Sequence, residues 1–267
     1  MNKMLCAYGC GSPIRQPIVE ALAIGAKANK FIPDPNPRYE GGDSIVWGLI
    51  RGADTIMLNT RESGNDYFQL DNAYFGRNIY FRVTKNALQL NCLPNKVVDN
   101  RYKFVLSQLG KSLLPWKKER NGPIVICPSS NFMYQFMGTT LETWLKTVIE
   151  EIRKYSDRPI VIRFKEVIPK DNIDEEICDA WCVVTHVSSA ALDALRLGIP
   201  VVTTASCAAS SLATPISGIE SPKQEYGRDE LFSLLAHGQF MKEEMLTGKV
   251  FKSIDEISKV INSSALA

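Results

Sequence analysis

Long apolar runs are absent from this sequence of 267 residues, and none approaches the roughly 20 residues that a membrane-spanning helix requires. The opening stretch MNKMLCAYGCGSP holds one lysine and a short apolar run that stops at Gly9. That is not the pattern of a secretory leader, and a cytoplasmic location is expected. Charge of one sign is scarce as well: 31 Lys and Arg stand against 29 Asp and Glu, a net +2 at pH 7. Such a balance sets up no strong field, and the basic run KSLLPWKKER, Lys111 to Arg120, reads as a solvated linker face. Histidine is limited to His186 and His237, far apart in sequence. Cys178 and Cys182 lie four apart with no second Cys/His pair nearby, so no metal site is expected. The seven cysteines are odd in number and sit mostly in apolar runs, as Cys127 and Cys182 do, which argues against a disulfide framework.

Several site motifs are missing too. Gly9 and Gly11 follow the first apolar run without a third glycine at dinucleotide-binding spacing, and Pro13 and Pro17 interrupt an immediate helix. No Gly-x-x-x-x-Gly-Lys-Ser/Thr loop occurs, which disfavours a P-loop kinase, and no Gly-x-Ser-x-Gly elbow occurs.

What is present is alternation. Hydrophobic residues make up 45% and charged residues 22%, the profile of a globular protein. Short β-branched runs alternate with amphipathic stretches, which signals βαβ units around a parallel sheet. In the first half, Met4–Tyr8, Ser44–Leu49 and Asp66–Asp71 read as strands, with a helix between the last two that ends at Gly64 and a Pro/Gly-rich loop over residues 31–43. In the second half, a strand followed by a loop is expected over 123–130, strands at 159–164, 180–186 and 199–204, and helices at 139–155, 189–198, 228–237 and 242–248. Charge, Gly and Pro break the pattern between Pro115 and Pro123. The expected architecture is α/β with parallel sheets: two Rossmann-like halves, residues 1–120 and 121–267, facing a cleft.

Parallel strands point their carboxyl ends at the ligand crevice. After the strand at 180–186 come His186, Ser188 and Ser189; after the one at 159–164 come Arg163 and Lys165; after the one at 199–204 come Thr203 and Thr204. A serine at a helix start offers main-chain N–H groups to an anion, and an arginine grips phosphate with two parallel bonds, so these residues make a candidate diphosphate cradle. Read alone, such a serine is an ordinary helix cap. In DYFQLDNAYFGR, Asp71 and Asn72 emerge at a strand end before Tyr74 and Arg77, with Arg82 further on. Asp71 is there a candidate general base or nucleophile beside aromatic rings, or else a carboxylate that caps its own turn. His186 is the second candidate catalytic residue.

The segments THVSSAALDALRLGIPVV and Glu220-Ser221-Pro222 resemble the carboxy-terminal half of GT-B glycosyltransferases. The likeness extends to capsule-synthesis Kdo transferases and to phage-encoded glycosyltransferases. The latter are also similar in VWGLIRGAD, LDNAYFGR with YFRVTKNALQ, RPIVIRFKE and GRDELFSLLAHGQFMKEEMLTG. The resemblance implies a nucleotide-sugar donor held by the second half near Ser188, Ser189, Arg163, Lys165 and Thr203, with Glu220 meeting a ribose or the sugar. It implies an acceptor on the first half, near Asn72, Tyr74, Arg77 and Arg82, with Asp71 as base or nucleophile. No cofactor and no metal are implied. The acceptor implied by the phage likeness is a hydroxymethylated pyrimidine in DNA, and by the capsule likeness a glycan. A nucleotide-sugar epimerase, or a nucleotide- or nucleic-acid-binding module without catalysis, stands as the alternative.

Overall fold

The computed structural model describes residues 3–34, 37–164 and 173–265, so Lys165 lies outside the described residues. In chain order the elements are β1 (Leu5–Tyr8), α1 (Gln16–Gly25), β2 (Lys30–Ile32), β3 (Asp43–Trp47), α2 (Ala53–Glu62), β4 (Tyr67–Asn72), β5 (Phe81–Lys85) and α3 (Arg101–Gln108). Then come β6 (Ile124–Ile126), α4 (Asn131–Phe136), α5 (Leu141–Arg153), β7 (Ile160–Ile162), α6 (Ile173–Ile177), β8 (Cys182–Thr185), α7 (Ala190–Arg196) and β9 (Val201–Thr203). Two 3-10 turns, Ser210–Leu212 and Ile216–Gly218, lead to α8 (Arg228–His237), β10 (Gln239–Phe240), α9 (Lys242–Leu246) and α10 (Lys249–Ala265).

The protein is α/β, with two sheets of largely parallel strands. The first has the order β10-β5-β4-β3-β1-β2, in which β4, β3, β1 and β2 are parallel and β5 alone is reversed, pairing antiparallel with both β4 and β10. The second, β7-β6-β8-β9, is parallel throughout. Strands β6 (IVI) and β8 (CVVT) are buried along their whole length, as β-branched strands covered on both faces must be. Helix α5 explains part of that cover. Trp144, Val148 and Ile152 recur at four-residue spacing on its buried face, and Thr140 caps it by accepting from the Thr143 amide at 3.1 Å. These side chains pack into a core with Ile124, Ile126, Tyr134 and Val184, while the first sheet is packed by Val19 and Leu22 of α1 and by Val250 and Ile254 of α10.

The chain forms two compact units. One comprises Met1–Leu90, Val98–Val105 and Ser233–Ala267; the other comprises Asn91–Val97 and Leu106–Phe232. The sequence reading divides the chain at residue 120 and leaves the last helices with the second half. The structure returns them to the first unit, because β10 pairs with β5 and α9 packs against α1. Other differences are local. Pro17 does not block a helix: it sits in the first turn of α1, where its missing N–H has no partner to lose. The proline-rich stretch read as loop begins within β2, three residues long and too short to show a period.

Candidate functional site

Two sheet edges carry the residues of interest. In the second sheet the chain runs from β6 to β7 on one side and then crosses to β8 on the other, so β6 and β8 flank a switch point, the place where ligands enter such sheets. The two loops leaving it are tied together. Thr185 Oγ1 donates to the Cys127 carbonyl at 2.6 Å, and the Val187 amide donates to Ser129 Oγ at 3.1 Å. Ser188 Oγ accepts from the Ala190 amide at 3.3 Å and so helps to open α7, whereas Ser189 is exposed and makes no side-chain cap bond. Thr203 ends β9 in register with Thr185 and bonds Ser210 at 3.3 Å. Beside this edge lies an open cavity of about 490 Å³, lined by Asn131, Gln135, Leu141, Leu145 and Phe164 among others, a size that suits a small-molecule ligand.

Three sequence-named residues of this unit are placed differently from their expected roles. Arg163 does follow β7 at the carboxyl edge, but its guanidinium is ion-paired with Glu176 of α6. His186 is buried: its ring stacks on Tyr134 at 5.5 Å and lies 5.8 Å from Trp144. Its nitrogens face Thr204 Oγ1 at 2.7 Å and the Met137 sulfur at 2.8 Å, and burial pushes the imidazole below its ordinary value. That makes it a packed, neutral ring rather than an open base. Glu220 is not at this edge. It is held by Ser156 and by Arg158 at 3.1 Å, residues that precede β7, and Trp181 at the start of β8 donates to the neighbouring Ile219 carbonyl. This is the amino edge, because Ser156 and Arg158 precede β7 and Trp181 precedes β8.

The first unit offers the other edge. Its own switch point, between β1 and β3, is nearly filled, with a crevice of about 10 Å³ lined by Gly9, Cys10, Trp47 and Arg51; that holds about one water. The open polar surface lies further along, at the end of β4. Asp71 Oδ2 pairs with Arg82 Nη2 at 2.7 Å across the antiparallel β4–β5 ladder, and Asp71 Oδ1 accepts from the Asn72 amide at 2.7 Å. Arg82 also donates to the Asn72 carbonyl at 3.3 Å and lies over the Tyr74 ring at 5.5 Å. Arg77 is exposed, yet partial desolvation lowers its pKa; Asp71 opposes that shift, and Arg15 and Arg82 add to it.

Two further residues shape this edge without having been legible in the sequence. Arg15, in the loop after β1, donates to Asn78 Oδ1 at 3.0 Å and stacks over Trp47 and Phe81. Gln239 of β10 is buried. It accepts from the Tyr74 and Phe75 amides at 3.0 and 3.3 Å and donates to the Phe75 carbonyl at 2.9 Å, pinning the loop that follows Asp71. Arginine spacing alone does not reveal Arg15, because its partner is 63 residues away. Among the described residues, no group of three His, Cys, Asp or Glu is placed to hold a metal ion, and no helix is long and apolar enough to cross a membrane.

No protein-family model matches the sequence, and no curated protein matches it. Two solved structures share its fold along nearly the whole chain. One is described as "Thermosulfurimonas dismutans KpsC, beta Kdo 2,4 transferase", with a TM-score of 0.55, 12% identity, and coverage of 94% of this chain and 97% of that one. The other, "Thermosulfurimonas dismutans KpsC, beta Kdo 2,7 transferase", has a TM-score of 0.56, 13% identity, and coverage of 94% and 99%.

Proposed function

We propose that the chain is a glycosyltransferase that moves a sugar from a nucleotide-sugar donor onto an acceptor hydroxyl. The observation that carries this reading is the match of fold, end to end, with two Kdo transferases. The donor is assigned to the second unit. Its phosphates meet the hydroxyl-rich edge around Ser188, Ser189 and Thr203, and its nucleoside enters the adjoining cavity, where Phe164 offers a ring face and Asn131 and Gln135 offer amides. The reading needs no cofactor and no metal, since hydroxyl and amide groups stabilise the departing nucleotide. The acceptor, a hydroxymethylated pyrimidine of DNA or a glycan, is assigned to the Asp71 edge of the first unit.

Asp71 is the proposed base. It takes the proton of the acceptor hydroxyl, that oxygen forms a bond to the anomeric carbon, and the nucleotide leaves with the electron pair of the broken bond. Should the carboxylate itself attack first, water or the acceptor then releases the sugar from it. Arg82 and the Asn72 amide hold the carboxylate in position for either role.

Donor binding is tested by thermal shift against UDP-, GDP-, CMP- and dTDP-sugars, since a ligand at 100 times its Kd adds about 2.7 kcal/mol. No shift with any of them would remove the donor assignment. Asp71→Asn is expected to lower transfer or donor hydrolysis by about 10²–10⁴-fold while leaving the nucleotide-induced shift in place. Normal turnover in that variant would take Asp71 out of the mechanism.

A further inference from the structure

Beyond the end of β4, Arg77 stands between two other guanidiniums, one of them paired with the Asp71 carboxylate. Arg82 is paired with Asp71 at 2.7 Å, Arg15 reaches the same region through Asn78 at 3.0 Å, and Arg77 lies within electrostatic range of Asp71, Arg15 and Arg82 alike. Asp71 is ion-paired with one of the three, Arg82. Arg15 is further held against the Trp47 and Phe81 rings at 5.2 and 5.6 Å, so its donors are fixed in direction. The Arg77 guanidinium makes no hydrogen bond among the described residues. Gathering like charges with a single counter-charge works against stability unless an anion completes the group. The loop is nonetheless held in place, by Gln239 at Tyr74 and Phe75 and by Arg15 at Asn78.

We infer that this edge binds a phosphate group carried by the acceptor, with Arg15 and Arg77 as its ligands and the hydroxyl to be glycosylated presented to Asp71. The inference rests on the glycosyltransferase reading and narrows its acceptor. Two guanidiniums left over from the Asp71 pair match a dianionic phosphate ester or two successive phosphodiesters, whereas a uronic acid supplies one charge. The planar fork of arginine also matches phosphate oxygens with two parallel bonds each. Among the acceptors considered above, this selects one built on a nucleotide over a neutral or uronic glycan.

The test is calorimetric titration of the full chain with methyl phosphate at low ionic strength, with methyl glucuronide as the carboxylate probe. Arg77→Gln is expected to weaken methyl phosphate binding by about tenfold, and Arg15→Gln with Arg77→Gln by more, as lost charge-assisted bonds do. Arg77→Lys should recover part of the loss. Arg77 is exposed and its side chain makes no hydrogen bond among the described residues, so its variants melt no lower than the parent. Unchanged phosphate affinity in both Gln variants overturns the inference, and so does glucuronide binding as tight as methyl phosphate with the same arginine dependence. Donor hydrolysis by the parent chain, measured separately, tests the transferase reading. Its absence alongside Arg77-dependent phosphate binding would remove that reading and leave the phosphate site standing.

Discussion

Asp193 lies in the first turn of α7, where burial drives its carboxyl up to about 6 from 3.8; Lys111, Arg196 and Arg163 act to lower it and Asp174 to raise it. Between those two values the folded chain binds more protons at this residue than the unfolded chain does. Stability therefore declines as pH rises from about 4 to about 6 and the cost is fully present above that, amounting to at most about 3 kcal/mol. Asp193→Asn removes the ionisation. Its melting temperature should exceed the parent's at pH 7.5 and converge with it at pH 4, and a variant less stable at both would show that the charge network of Arg196 and Asp174 needs the carboxylate. At this scale the sequence showed which side chains lie at strand ends and not what they touch. His186 and Arg163 stand where the strand pattern places them, but an aromatic cluster closes over one and Glu176 claims the other. Those partners come from α4, α5 and α6, which strand-end logic does not see.

Among the elements, strands rich in β-branched residues and the helix with a clean four-residue period were legible, because burial on both faces or on one stripe leaves that pattern in the residues themselves. Strand β5 was not: in Phe81–Lys85 the buried Val83 and Thr84 are adjacent and break the alternation, and its role depends on antiparallel partners on both sides. Helix α9 was legible as a helix and misplaced as a neighbour. Its seat on α1 depends on glycine, since a Cβ at Gly25 would lie 1.8 Å from the Met245 carbonyl oxygen. No sequence period announces such a contact. Gly25→Ala must push the two helices apart, with an expected loss of about 1–3 kcal/mol for the overpacking. The urea midpoint should fall accordingly; an unchanged midpoint would mean that α9 shifts on α1 at no cost.

Across the whole molecule, the chain builds most of its first unit, leaves to form the second, and comes back, so the Asp71 edge is completed by residues from its far end. Gln239 makes the point. Its side chain answers the Tyr74 and Phe75 amides and the Phe75 carbonyl from about 165 residues away in sequence, on a strand of two residues that also pairs with Phe81 and Arg82. A reading of local pattern had to miss this, because a two-residue strand carries no period and one buried glutamine resembles any other polar residue in a loop. Gln239→Leu keeps nearly the same bulk and removes all three bonds that its side chain makes to the Tyr74 and Phe75 backbone. The expected loss is about 2–4 kcal/mol, the net worth of three intramolecular hydrogen bonds. Hydrogen exchange locates it: amides over residues 73–77 and in β5 should lose protection, while those of β6 and β8 keep theirs. If residues 73–77 stay protected, the loop that follows Asp71 is held by its own turn at Gly76, and the far end of the chain contributes packing alone.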